Sequence, residues 1–180
     1  MTREHVHPRR RDRSRSEEWI RALLHRGCAG VLTTVEEGRP APIPLNFVYD
    51  EEGDAVYFHT GRVGRTRGNL PGPAAFCVFE MGRMLPADEA LEFGVEYGSV
   101  VVFGTGVVVE DPEEAEAALV KIMEKYAPHL KAGVDYRPVT PQEIGRTSVI
   151  RLDIQGWSGK EKTEPPDFPG AYRFEDVRDG

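Results

Sequence analysis

The run SVVVFGTGVVVE, residues 99–110, limits the fold more than any other part of the chain. Its apolar residues are nearly unbroken, so a strand here is covered on both faces. It is far shorter than the roughly 20 residues that span a bilayer, and it belongs inside a globular core. Gly104 and Gly106 interrupt it, and glycines within a strand mark a bend or a bulge. Sheets need such bends when they close into barrels. The run therefore predicts a curved sheet around one core.

Five further strand signals surround it. CAGVLTTV (28–35), PIPLNFVYD (42–50) and DAVYFHT (54–60) follow in quick succession, with EEG at 36–38 and again at 51–53 as hairpin turns. AAFCVFEM (74–81) is the next, and TSVIRLDIQGW (147–157) is the last. Ser14 or Ser16 caps a helix over EEWIRALLHR, whose Trp19, Ile20, Leu23 and Leu24 share a face and which ends at Gly27. Asp111-Pro112-Glu113-Glu114 opens a second helix, with Ala115, Ala118, Leu119, Ile122 and Tyr126 at helical spacing. A short helix follows Thr140. Sequential hairpins with two or three helices read as a mainly β (α+β) protein: a six-stranded antiparallel β-barrel with peripheral helices. Residues 1–15 are Arg-rich and nearly free of apolar side chains, so a disordered basic tail is expected there. Residues 16–160 form the domain, and the acidic, Pro-rich stretch 161–180 is expected as a second tail.

Composition narrows the function. A chain of 180 residues, 39% hydrophobic, buries one real core. Its formal net charge of -7 argues against a general nucleic-acid binder, whose affinity rests on surplus Lys and Arg. The start, MTREHVHPRRRDRSR, lacks the apolar centre of a signal peptide, and no apolar run spans a membrane, so a cytoplasmic location is expected. Cys28 and Cys77 both lie in apolar runs and are expected as reduced core residues. FGTGVVVED lacks the third glycine of a dinucleotide fingerprint and continues as a strand, and no P-loop is present. His5, His7, His25, His59 and His129 do not pair at zinc-ligand spacing, and no metal site is expected.

One stretch concentrates chemistry: YFHTGRVGRTRGN, Tyr57 to Asn69. An alternating strand ends at His59-Thr60, with His59 pointing opposite to Phe58 and Thr60. Gly61 and Gly64 permit a tight turn, and a helix starting near Val63 directs its first N–H groups at an anion. Arg62 and Arg65 share a face of that helix, and Arg67 points elsewhere. A Thr hydroxyl with one or two guanidiniums suits a phosphate monoester. A basic, well-solvated turn is the alternative that these residues leave open.

Three blocks in order, PIPLNFVYDEEGDAVYFHTGRVGR, EYGSVVVFGTG and GWSGKE, resemble the pyridoxamine 5'-phosphate oxidase-like FMN-binding split barrels. Within that superfamily, EEWIRALLHRG, MGRMLPADEALEFGVEYGSVVVFGTG, DYRPVT and RTSVIRLDIQGWSGKE are similar to the 5-nitroimidazole resistance (Nim-type) branch. The resemblance covers residues 16–162. It implies a homodimeric split barrel with two FMN sites at the interface, each lined by both chains. Pro44, Leu45, Asn46 and Phe47 then run along the flavin ring, and His59, Thr60 and Arg65 hold the phosphate. Thr66 stands where the oxidases carry a lysine, which makes Arg62 or Arg67 the residue to supply its charge. Ser99, Trp157 and Lys160 complete the cofactor set. His59 is the implied catalytic residue, protonating a small nitro-aromatic acceptor. NAD(P)H or a protein supplies the electrons. Rival readings are a haem or deazaflavin on the same barrel, with His59 as an iron ligand, and a non-catalytic flavin-binding dimer. Pyridoxamine phosphate oxidation is disfavoured, because basic residues for a second phosphate are not evident.

Overall fold

A computed structural model describes residues 4–5 and 8–178. The strands are β1 (Glu4–His5), β2 (Gly30–Glu36), β3 (Arg39–Leu45), β4 (Val48–Asp50), β5 (Ala55–Gly61), β6 (Gly72–Leu85), β7 (Gly94–Val108) and β8 (Thr147–Lys162). The helices are α1 (Glu17–Arg26), α2 (Arg65–Gly68), α3 (Pro112–Tyr126), α4 (Pro141–Ile144) and α5 (Phe174–Arg178). One sheet runs in the order β3-β2-β6-β7-β8-β5-β4, antiparallel throughout, with β1 added in parallel to β8. It coils around a core that includes Leu32, Phe47, Phe58, Phe76, Val100, Ile150, Leu152 and Trp157. It does not close: β3 ends one side, β4 and β5 the other, and the barrel is split between them.

The sheet has eight strands where sequence predicted six. PIPLNFVYD divides at Asn46-Phe47, because Phe47 turns into the core and its backbone N–H bonds the Tyr126 hydroxyl at 3.0 Å instead of a neighbouring strand. β1 is the other addition. The bend expected in β7 is present as a register shift against β8 between Phe103 and Gly104. A side chain at Gly104 would collide with the Asp153 carbonyl, so only glycine lets β8 approach here. The last strand signal ends at Trp157, yet β8 continues through the polar residues to Lys162. Gly159 lies against Ile20 and Trp19 of α1, so a small residue here makes room for the helix.

Helix α1 starts at Ser16, whose hydroxyl accepts from the Trp19 N–H, and seals one barrel end with Ile20, Leu23 and Leu24. Helix α3 starts at Asp111 and packs Ala115, Ala118 and Ile122 on the other face of β5 and β8, against Ala55, Tyr57 and Val149. The two expected tails are applied to the barrel where they are described. Arg15 donates its N–H to the Gly159 carbonyl and its guanidinium to Glu161 at 2.7 Å. Arg83 binds Glu96 and three carbonyls of the C-terminal stretch, at Glu164, Pro165 and Pro166. Residues 1–3, 6–7 and 179–180 of those tails lie outside the described residues. Cys77 is half-buried, whereas Cys28 is exposed at the end of α1 and is not a core residue. No helix among the described residues is long and apolar enough to cross a membrane.

Candidate functional site

The split in the barrel forms a cleft of about 280 Å3. Ala41, Pro42 and Ile43 of β3 make one wall, and Thr60, Gly64, Arg65 and Thr66 make the other. The β3 wall is an open sheet edge with an unusual sequence, RPAPIPL. Alternate residues of an edge strand turn N–H and C=O outward together, and here those residues are Pro40, Pro42 and Pro44, which have no N–H. The edge therefore offers carbonyl acceptors without donors, and the missing N–H groups discourage a further strand from adding.

The three arginines of the segment that follows β5 differ in commitment. Arg62 donates to the Gly145 carbonyl. Arg67 donates to the buried Ser148 hydroxyl at 3.0 Å and to Glu110 at 3.2 Å. Arg65 is 79% exposed, and its nearest carboxylate is Glu36 at 3.7 Å. Gly64, at φ +154°, turns the chain from β5 into α2, a single helical turn. Arg62 lines a separate cavity beside Gly145, whereas Arg67 also lines the cleft while it binds Ser148 and Glu110. Thr60, Arg65, Thr66 and Arg67 are the group the structure brings together.

His59 is not among them. It faces the other side of β5, as strand alternation requires, and lines a second cavity of about 380 Å3. Leu119, Ile122 and Met123 of α3 form its apolar wall, with Tyr136 and Val139 opposite. Arg137 and Glu143, paired at 2.7 Å, close its rim.

The remaining sequence-predicted residues divide. Pro44 and Asn46 are exposed beside the split, and Asn46 donates to the Cys28 carbonyl at 3.1 Å. Leu45 packs partly on the core. Phe47 is fully buried, edge-on to Phe76 and beneath the Lys125 ammonium at 3.6 Å, so its ring is withheld from any cofactor. Burial lowers the Lys125 pKa to about 8. Trp157 is likewise fully buried, near Tyr49 and the Arg21 guanidinium, and is a core residue instead of an external stacking partner. Ser99 and Lys160 face each other across β7 and β8. They lie at the other end of β8 from the cleft: Lys160 is twelve residues along the strand from Ser148, the partner of Thr60, a contour of at most about 40 Å. Beside Lys160 are Tyr97 and Arg13, which sequence reasoning passed over. Tyr97 stands two residues before Ser99, and that period-2 spacing was the available signal. No group of three or more His, Cys, Asp or Glu among the described residues is arranged to hold a metal ion.

Comparison with known proteins fits this geometry. Across its length the chain is similar in structure to the flavocytochrome Anf3 from Azotobacter vinelandii: 26% identity, 97% of this chain and 78% of that one, TM-score 0.77. An FAD- and haem-binding protein from Mycobacterium smegmatis matches at 24% identity over 92% of this chain and 78% of the other, TM-score 0.73. A protein from Bacteroides thetaiotaomicron, provisionally described as a 5-nitroimidazole antibiotic resistance protein, matches at 20% identity over 81% and 84%, TM-score 0.61. No curated protein matches the chain. The profile of the pyridoxamine 5'-phosphate oxidases matches residues 16–161, from the start of α1 almost to the end of β8 and so across both groups of site residues, and the chain belongs to the pyridoxamine 5'-phosphate oxidase family.

Proposed function

We propose that the protein is a flavin-dependent oxidoreductase that works as a homodimer, with an FMN-type flavin held between the protomers at each of two sites. The observation that carries this reading is the placing of its two polar groups at opposite ends of β8. Thr60 and the uncommitted Arg65 stand in the cleft, while Ser99 and Lys160 lie at the far end of the strand, a contour of at most about 40 Å away. A two-fold axis brings one group of each protomer to the other group of its mate. The cleft alone is also at the small end of the roughly 300–1,000 Å3 of ligand sites, which favours a second wall.

The residues present fit such a cofactor. A guanidinium and a hydroxyl suit a phosphate monoester, and the acceptor-only edge of β3 suits the imide N–H of a flavin. Ser99 of the partner subunit closes the ring end. The flavin, when bound, supplies the two-electron chemistry, and the chain binds and orients it. The acceptor is a small electron-poor molecule of the nitro-aromatic class, as in the Nim-type branch, with electrons from NAD(P)H or a protein donor. The test is a titration of the apoprotein with FMN, followed by anaerobic reduction of a 5-nitroimidazole. Visible flavin bands with a saturable dissociation constant are expected, and a protein that takes up no flavin overturns the reading.

The His59 cavity favours a second reading. It is apolar, larger than the cleft and on the opposite face of β5, and the A. vinelandii neighbour is a flavocytochrome. On this reading His59 is an iron ligand to a haem packed on α3 and not the acid of nitro reduction. A Soret band on haem addition that His59→Ala abolishes supports it. Loss of nitro reduction in His59→Ala, with no haem uptake by the parent, returns His59 to the acid role.

A further inference from the structure

The outer face of the sheet around Ser99 mixes exposed apolar side chains with a polar group formed by Tyr97, Ser99, Lys160 and Lys162. Tyr97 projects there beside Phe79, ring centroids 6.4 Å apart, and its phenol is flanked by two cations. Arg13 Nη1 lies 3.3 Å from the phenolic oxygen, and the Lys160 ammonium lies 5.3 Å from the ring centroid. Lys162 stands opposite Tyr97 in the strand register.

Charge counting sets this cluster apart. Every carboxylate nearby already has its own cation: Glu161 pairs with Arg15 at 2.7 Å, Glu96 with Arg83 at 2.7 Å, and Glu80 with Arg26 at 3.1 Å. Arg13, Lys160 and Lys162 have no ion-pair partner among the described residues. Asp12, the carboxylate that also acts on Arg13, is paired with Arg10 at 2.7 Å. In a chain with a net charge of -7, these three cations around a phenol are a local excess among the described residues, and it suits an anion. A cavity of about 220 Å3 opens on one side of it, lined by Tyr97, Gly98 and Lys162 but also by the paired carboxylates of Glu80, Glu96 and Glu161, and the Arg13 and Lys160 side chains lie outside that lining.

We propose that Arg13, Tyr97 and Lys160 form an anion subsite that takes a phosphate group of a nucleotide. Two ammonium or guanidinium donors and a phenolic O–H match the acceptor oxygens of a phosphate. The phosphate belongs either to the adenylate half of a flavin dinucleotide or to a separate nucleotide that delivers electrons. Its position at the flavin rests on the shared-site reading, whereas the subsite itself is measurable in the apoprotein.

The two cations also depress the Tyr97 pKa against the opposing effect of burial. Tyr97 is thus a built-in reporter. In the apoprotein, ultraviolet difference spectroscopy of tyrosine ionisation resolves an early step that Tyr97→Phe removes. Inorganic phosphate neutralises the cations and moves that step to higher pH, beyond what sodium chloride does at equal ionic strength. Lys160→Gln and Arg13→Gln, both away from the core, each raise the half-saturating phosphate concentration about tenfold, as for one charge-assisted hydrogen bond. Equal shifts with chloride and phosphate overturn the proposal, as does unchanged phosphate affinity in both variants. Repeating the titration on loaded protein identifies the source. If FAD blocks the phosphate response and FMN does not, the adenylate half occupies the subsite. A response that survives both points to the separate nucleotide. A response that FMN and FAD both block overturns the assignment, because Lys160 then serves the flavin mononucleotide with Ser99 and holds no further phosphate.

Discussion

Arg65 and Arg67 lie two residues apart, and their surroundings give them different work. Arg65 has a single long contact in the cleft, whereas Arg67 ties β8 to the turn through the buried Ser148 hydroxyl. Arg65→Ala should therefore weaken flavin binding by about 1.5–3 kcal/mol, the range for a hydrogen bond to a charged group, and leave the apoprotein's melting temperature unchanged. Arg67→Ala should lower that melting temperature first. Flavin titration and thermal melting of the two apoproteins separate these outcomes. Trp157 makes a similar contrast. Its side chain is fully enclosed by core residues, so Trp157→Ala should cost about 3–5 kcal/mol in denaturant unfolding of the apoprotein. A stacking role would cost flavin affinity and leave stability alone. The strand end at Thr60 and the turn at Gly61 and Gly64 were local signals. The choice of Arg65 among the three arginines came from the family resemblance, and in the structure Thr60 and Arg65 line one cleft. Trp157 misled because its packing partners, Tyr49 and Arg21, are distant in the chain, and local polarity hid the core around it.

Elements were legible wherever their signal was local, as at the Ser16 and Asp111 caps and in the β7 run with its Gly104 bend. Length was not, because β6, β7 and β8 run on through polar residues whose backbone partners are supplied by neighbouring strands. The C-terminal stretch shows why a polar segment is not always a free tail. Arg83 grips Glu96 with two guanidinium nitrogens and spans to the carbonyls of 164–166, and the Glu164 N–H returns to Glu96. These partners hold the Glu96 carboxyl at about 2, below its ordinary 4.5, chiefly through the Arg83 hydrogen bond. A carboxyl with a depressed folded pKa adds stability that is present above the unfolded value and lost as pH falls towards the folded one. Glu96→Gln should therefore be less stable than the parent at neutral pH, with the gap closing between about pH 4.5 and pH 2. Unfolding at a series of pH values checks this. A gap independent of pH would show that the carboxylate charge contributes nothing.

At the scale of the whole molecule, the outer face of β2, β6 and β7 poses the remaining question. Val31, Val35, Phe79, Met81 and Phe103 are all partly or largely exposed on it, the last at 39%. Apolar surface of this kind suits an interface, and the face also carries Ser99, one of the two groups of the flavin site proposed above. Phe103→Asp should therefore yield a folded monomer by sedimentation and circular dichroism, and flavin affinity should fall with the dimer. A stricter test uses symmetry. Arg65→Ala damages the phosphate end of the site, and Ser99→Trp fills the ring end, so each variant alone should bind flavin poorly as a dimer. If each site takes Arg65 from one protomer and Ser99 from the other, unfolding and refolding an equal mixture creates heterodimers. In each of these, one site carries both defects and the other carries neither. Random pairing makes about half of the dimers mixed, so about a quarter of all sites should regain full flavin affinity. If one protomer held the cofactor alone, no mixture could restore a site, and the titration of the mixed sample would be the average of its two components.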